Sequence, residues 1–117
     1  MKEKSDELAM LHEAVSEMAI LLQDTQENPV SLSLYLLDMG VKDSSVKDKL
    51  IRKVAEMVIL SDEDPMKLTA MDFQKEFHQI TPFIPDDPEE PAPTVYILTW
   101  IGLHLMPKVY PVAMNIG

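Results

Sequence analysis

Cysteine is missing altogether from these 117 residues, so no disulfide can staple the fold and no thiolate can act as nucleophile or metal ligand. Glycine is nearly missing too. Three residues are too few for a loop that cradles phosphate with backbone N–H groups. Neither the GxSxG turn of a serine hydrolase nor the HxxxH and HExxH spacings of a zinc site occur, since His12, His78 and His104 stand far apart. Asp62-Glu63-Asp64-Pro65 lacks the glycine and the closing glutamate of a calcium loop. No catalytic residue, metal or cofactor is therefore expected.

Positive charge is scarce: ten Lys and Arg against twenty Asp and Glu leave a formal net charge of −10. That balance repels nucleic-acid phosphates and anionic membranes. No apolar run reaches the roughly 18–20 residues of a membrane span. The first residues, MKEKSDEL, are charged where a secretory leader would be apolar, and the expected setting is cytoplasmic. A chain of this length makes one domain, which can bury roughly two thirds of its unfolded surface.

What is present begins with the run Thr94 to Met106, TVYILTWIGLHLM, bounded by Pro93 and Pro107. It has no polar face to offer water, so the rest of the chain is expected to wrap it. Val95, Tyr96, Ile97 and Ile101 favour strand, but the run is long for a buried strand and the flanking prolines suit a helix. At ~1.5 Å per residue such a helix is roughly 20 Å long, short of the about 30 Å of a bilayer core.

Four further helices are expected. Over 5–24, with Ser5 as cap, Leu8, Leu11, Val15, Met18 and Leu22 form one apolar stripe. Over 29–39, opened by Asn28-Pro29 and closed by Gly40, the residues are apolar nearly all round, although Val30-Ser31-Leu32-Ser33-Leu34 also alternates like a strand. Over 44–60, capped by Asp43 or Ser44, Val46, Leu50, Val54, Met57 and Val58 share a face, with Asp48–Arg52 and Arg52–Glu56 as supporting pairs. Over 65–80, Met66, Ala70, Phe73, Phe77 and Ile80 repeat the pattern. The sum is an all-α bundle of about five helices in a single domain, 1–117, with amphipathic pieces around a buried helix near 94–106.

Between the last two helices lies an acidic, proline-rich connector, 82–93. Its prolines at 82, 85, 88 and 91 recur every third residue and would line one edge of a polyproline II helix. A stiff spacer with Phe83 and Ile84 tucked against the core fits this better than a PxxP ligand, because the usual basic flank is absent. Residues 107–117 read as a tail whose Val109, Tyr110, Val112, Met114 and Ile116 either lie on the core or bring two copies together.

Two stretches invite functional readings. Residues 32–53 resemble the centre of a helix-turn-helix, with Gly40, Val41, Val46 and Leu50 at the packing places; Lys42, Ser44, Ser45, Lys47 and Lys49 would then face DNA. Residues 42–53 hold five basic and two acidic side chains, a local +3 that leaves −13 for the rest, so attraction to DNA would be poor. A turn used only for packing is preferred. His104 follows Trp100 by four inside the apolar run and would be catalytic only beside a carboxylate in a pocket. Nine methionines fill cores and also suit surfaces that adapt to a partner. The expectation is a non-enzymatic, acidic protein-binding module whose partner has a basic surface; a DNA-binding regulator using 32–53 is the alternative.

Overall fold

The structure is a computed structural model that describes residues 2–116, with side chains from Asp6 to Ile116. Among these residues all regular structure is helical and no strand occurs. Six α-helices follow in order: α1 Lys2–Leu21, α2 Leu32–Asp38, α3 Ser45–Val54, α4 Ala70–Ile80, α5 Ala92–His104 and α6 Val109–Ile116. The one beyond the expected five is α6, formed by the segment read as a tail. Its Pro111 is its third residue, within the first turn, where no intrahelical N–H bond is lost. Val109, Val112 and Ala113 are buried, whereas Tyr110 and Met114 are exposed.

Helices α2 to α6 close around one core. It includes Leu32 and Leu36, Leu50 and Val54, Phe73 and Phe77, Ile97 and Ile101, Val109 and Val112. Within α5, Tyr96, Ile97, Leu98, Thr99, Ile101 and Gly102 are buried, whereas Leu103 and Leu105 beyond them are nearly half exposed. Helices α5 and α6 meet backbone to backbone at Gly102, where a Cβ would stand 2.7 Å from the nitrogen and Cα of Tyr110.

One edge of α5 explains where α2 begins. Tyr96, Trp100 and His104 lie four apart on one face. The Tyr96 hydroxyl reaches the Ser31 carbonyl at 3.5 Å, Trp100 Nε1 donates to Val30 at 3.1 Å, and His104 Nε2 donates to Pro29 at 3.0 Å. Three successive carbonyls are thus met in reverse order, and the chain 29–31 runs antiparallel along α5. Pro29 and Val30 are held out of the helix by these bonds. Helix α2 starts only at Leu32, and Ser31 caps it by accepting the Leu34 N–H. Asn28 does not cap; its amide donates to the carbonyls of Leu22 and Gln23 and closes the end of α1.

The other boundaries shift for local reasons. Helix α3 passes into a π turn, Ala55–Ile59, with Leu60 N–H on the Ala55 carbonyl at 3.0 Å. The pairs Asp48–Arg52 and Arg52–Glu56 are not among the described ion pairs; Lys53 instead reaches Glu56 at 3.1 Å and Glu76 at 3.6 Å. Residues 65–80 are broken in two, since Asp64 caps a short 3-10 turn, Pro65–Lys67, and a Thr69–Asp72 capping box opens α4. The connector turns at Pro82–Phe83 and Pro88–Glu89 and is not one extended helix. It is held by Gln74 of α4, which is fully buried. Gln74 Nε2 donates to the carbonyl of Asp87 at 2.7 Å and to those of Pro85 and Glu90 at 3.3 Å. Ile84 is buried there, but Phe83 is half exposed and lies over Gly40, whose φ is +104°.

Helix α1 departs furthest from expectation. It begins at Lys2, so Ser5 lies inside it, and the Ser5 side chain falls outside the described residues. It ends at Leu21, with Gln23 in the left-handed region at φ 61°. Its apolar stripe does not wrap α5. The core of α2 to α6 is complete without it, and the molecule measures 51 × 28 × 27 Å.

Candidate docking surface on the N-terminal helix

Leu8, Leu11, Val15 and Met18 step by three and four residues and so line one side of α1, continued by Leu22 just past its end and widened by Met10, Ala14 and Leu21. All the large ones face water. Exposure runs from 42% at Val15 through 62% at Leu11 to 81% at Leu21. Only Ala19 of this helix is buried among its apolar residues. Asp6, Glu13 and Glu17 fall on the far side of the helix from Leu11, and Glu7 lies within the stripe's arc.

Helix α1 meets the body through α2. His12 Nε2 lies 2.9 Å from Asp38 Oδ1, and the contact is itself solvent-exposed. Beside it Leu8, Leu11 and Val15 face Ser31, Leu34 and Leu37 across a groove of about 300 Å³. Leu37 is 45% exposed. Below the groove the chain is firmly built: Asp24 accepts from the Tyr96 hydroxyl at 2.8 Å and from the Val30 N–H at 3.0 Å. Tyr96 stacks on Tyr35 with ring centroids 3.8 Å apart. Burial pushes both phenols above their ordinary range, and the Asp24 carboxylate pushes the same way. The groove thus has one well-anchored wall and one, α1, that carries an uncovered apolar face.

The residues weighed for chemistry are dispersed. His12 pairs with Asp38, His78 donates from Nδ1 to the Ile84 carbonyl at 2.8 Å, and His104 is spent on Pro29 at the exposed end of α5. Among the described residues no group of three His, Asp or Glu could hold a metal ion. A charged cleft of about 550 Å³ gathers Glu63, Asp64, Asp72 and Glu76 with Lys67 and Lys75. Two of its acids are engaged as caps, Asp64 on the Met66 N–H and Asp72 on the Thr69 N–H.

In the helix-turn-helix-like stretch, Val41, Val46 and Leu50 are buried and Gly40 takes the left-handed turn. Lys42, Ser44 and Lys49 are exposed, and Ser45 is half-buried. Lys47 is turned inward. It donates to Ser33 Oγ at 3.1 Å and lies 5.4 Å over the Trp100 ring. Asp43 accepts the Ser45 N–H, a bond that holds its carboxyl below the usual range.

The uncovered face of α1 was missed by sequence reasoning, which counted its stripe as core. The available signal was width: Met10, Ala14 and Leu21 extend the apolar arc beyond what one neighbour covers. No family model, no curated protein and no solved structure matches this chain.

Proposed function

We propose that this chain is a small, acidic, non-enzymatic protein-interaction module, an adaptor, inhibitor or accessory factor, that engages its partner through the exposed side of α1. The buried middle of α5 is the frame on which this module is built, and a cytoplasmic setting suits its cysteine-free composition. One observation carries the reading. Seven large apolar side chains, Leu8, Met10, Leu11, Val15, Met18 and Leu21 on one side of α1 and Leu22 just past its end, are each 42–81% exposed. Single exposed apolar residues are ordinary; a continuous stripe along a whole helix marks a surface that is covered in use.

The magnitude is informative. The exposed fractions amount to about four whole side chains, and at about 1.5–3 kcal/mol each their burial contributes roughly 6–12 kcal/mol. Association costs about 4–15 kcal/mol. Apolar contact alone therefore gives weak binding, and the net charge of −10 adds long-range attraction for a basic partner. DNA binding through 32–53 is the less favoured reading because Lys47, central to it, is engaged by Ser33 and Trp100.

The test is capture from source-cell lysate by the wild-type chain and by a Leu11→Glu/Val15→Glu double variant, at low and high salt. Proteins held by the wild type should be lost with the double variant and should weaken as salt rises. A captured set that is identical for both chains would refute the assignment of α1.

A further inference from the structure

Resting on the reading of α1 as the docking surface, we infer that its occupant is an amphipathic helix with an apolar stripe flanked by Lys and Arg, laid along the groove between α1 and α2. Length and charge point there together. From Leu8 to Leu22 the stripe spans roughly 21 Å at ~1.5 Å per residue, about four helical turns. From Leu8 to Val15 the stripe has a second wall, α2, with Leu34 and Leu37 facing the groove, and beyond Val15 it continues as an open helix face. A helix laid along α1 matches that shape.

The charge pattern selects the partner. Residues 6–41, which supply both walls, contain Asp6, Glu7, Glu13, Glu17, Asp24, Glu27 and Asp38 and no Lys or Arg. Of these, Glu7 lies within the stripe's arc and Asp38 stands at the groove beside His12, while Asp6, Glu13 and Glu17 lie on the far side of α1. One cation, Lys47, reaches Ser33 on the other wall. A helix with basic flanks is therefore drawn by the negative field of the whole segment rather than by a line of ion pairs in the groove. Met10 and Met18 on the same side let the surface adjust to the stripe it receives.

The same pattern disfavours the other occupants. A second copy would bring two such acidic segments face to face. Its own basic helix, α3, has no stripe to offer, since Val46, Leu50 and Val54 are buried in its core. A membrane surface is disfavoured because helices that lie on lipid carry Lys and Arg on their polar face, and here Asp6, Glu13 and Glu17 stand there.

Three synthetic helical peptides test the inference by anisotropy titration against the full chain: a leucine stripe flanked by Lys and Arg, the same stripe flanked by Glu, and the Lys/Arg pattern with the stripe replaced by Gln. The first should bind, the other two roughly tenfold or more weakly, and its affinity should fall at least about tenfold between low and high salt. The Leu11→Glu/Val15→Glu variant should lose it despite being more acidic, with an unchanged circular dichroism spectrum. Equal binding of all three peptides, binding of none, or undiminished binding to the double variant overturns the inference. So does preferential binding to phosphatidylcholine vesicles. Sedimentation equilibrium separates the two readings: a dimer dissolved by the double variant overturns the basic helix but keeps α1 as a docking surface. A monomer that binds no peptide, and whose lysate capture the double variant leaves unchanged, refutes both.

Discussion

Replacing Gln74 with Glu changes almost no volume and should be among the most damaging substitutions in this chain at neutral pH. Gln74 is fully buried, and its Nε2 faces the carbonyl oxygens of Asp87 at 2.7 Å and of Pro85 and Glu90 at 3.3 Å. Its Oε1 has no hydrogen-bond partner. The amide has two N–H groups, so two full bonds hold the connector, worth about 1 kcal/mol each. In Gln74→Glu an ionised oxygen would face three oxygens with no cation beside it. Leaving such a charge uncompensated costs about 3–5 kcal/mol, a large part of the roughly 5–15 kcal/mol that holds a small domain together.

The chain escapes part of this cost by keeping the new carboxyl protonated when folded. Its folded pKa then lies above the unfolded value of about 4.3. The sign follows: the penalty is small below the unfolded pKa, where one O–H still donates, and grows as pH rises until the folded pKa is passed. Urea titrations of wild type and Gln74→Glu, followed by circular dichroism at several pH values, measure the difference directly. A cost under about 1 kcal/mol at neutral pH, or one that does not change with pH, would mean that the three carbonyls do not converge on residue 74.

Two further substitutions separate the packed part of the fold from the open one. Gly102→Ala places a Cβ 2.7 Å from the Tyr110 backbone, so α5 and α6 must move apart; overpacking of this kind costs about 1–3 kcal/mol and should lower the melting temperature measurably. Leu11→Ser, at a site 62% exposed, should change stability by no more than about 0.5 kcal/mol in urea. A loss of about 2–5 kcal/mol there would be that of a core leucine and would place α1 against the body.

The comparison of α1 with α3 and α4 shows where reading residues one by one succeeds and where it stops. Val46, Leu50 and Val54 in α3 and Phe73 and Phe77 in α4 repeat at helical spacing and are buried. Leu8, Leu11, Val15 and Met18 repeat at the same spacing and are exposed. Periodicity reports that a helix has an apolar side, not what covers it. Whether this molecule or another covers it depends on how much apolar surface the remaining helices already close.

The start of α2 fails for a related reason. Asn28-Pro29 is a sound local signal for a helix start, but the Pro29 and Val30 carbonyls are taken by His104 and Trp100, more than seventy positions away in the case of His104. Local capping chemistry lost to tertiary hydrogen bonds. The segment 107–117, read as a tail, errs in the opposite direction: proline is tolerated in the first turn of a helix, and α6 places Pro111 there. Gln74 gave no signal at all: a single glutamine in an amphipathic stretch reads as surface until the connector folds over it.

Because the chain contains no cysteine, the exposure of α1 can be measured one residue at a time with Leu11→Cys, Val15→Cys and, as a buried reference, Phe73→Cys. Thiol-labelling rates in the isolated chain should be close to those of an unstructured cysteine peptide at positions 11 and 15, and strongly suppressed at position 73. Adding the basic amphipathic peptide should slow labelling at 11 and 15 alone. Protection of positions 11 and 15 equal to that of position 73, in dilute chain without any partner, would contradict an uncovered α1 and with it the docking surface.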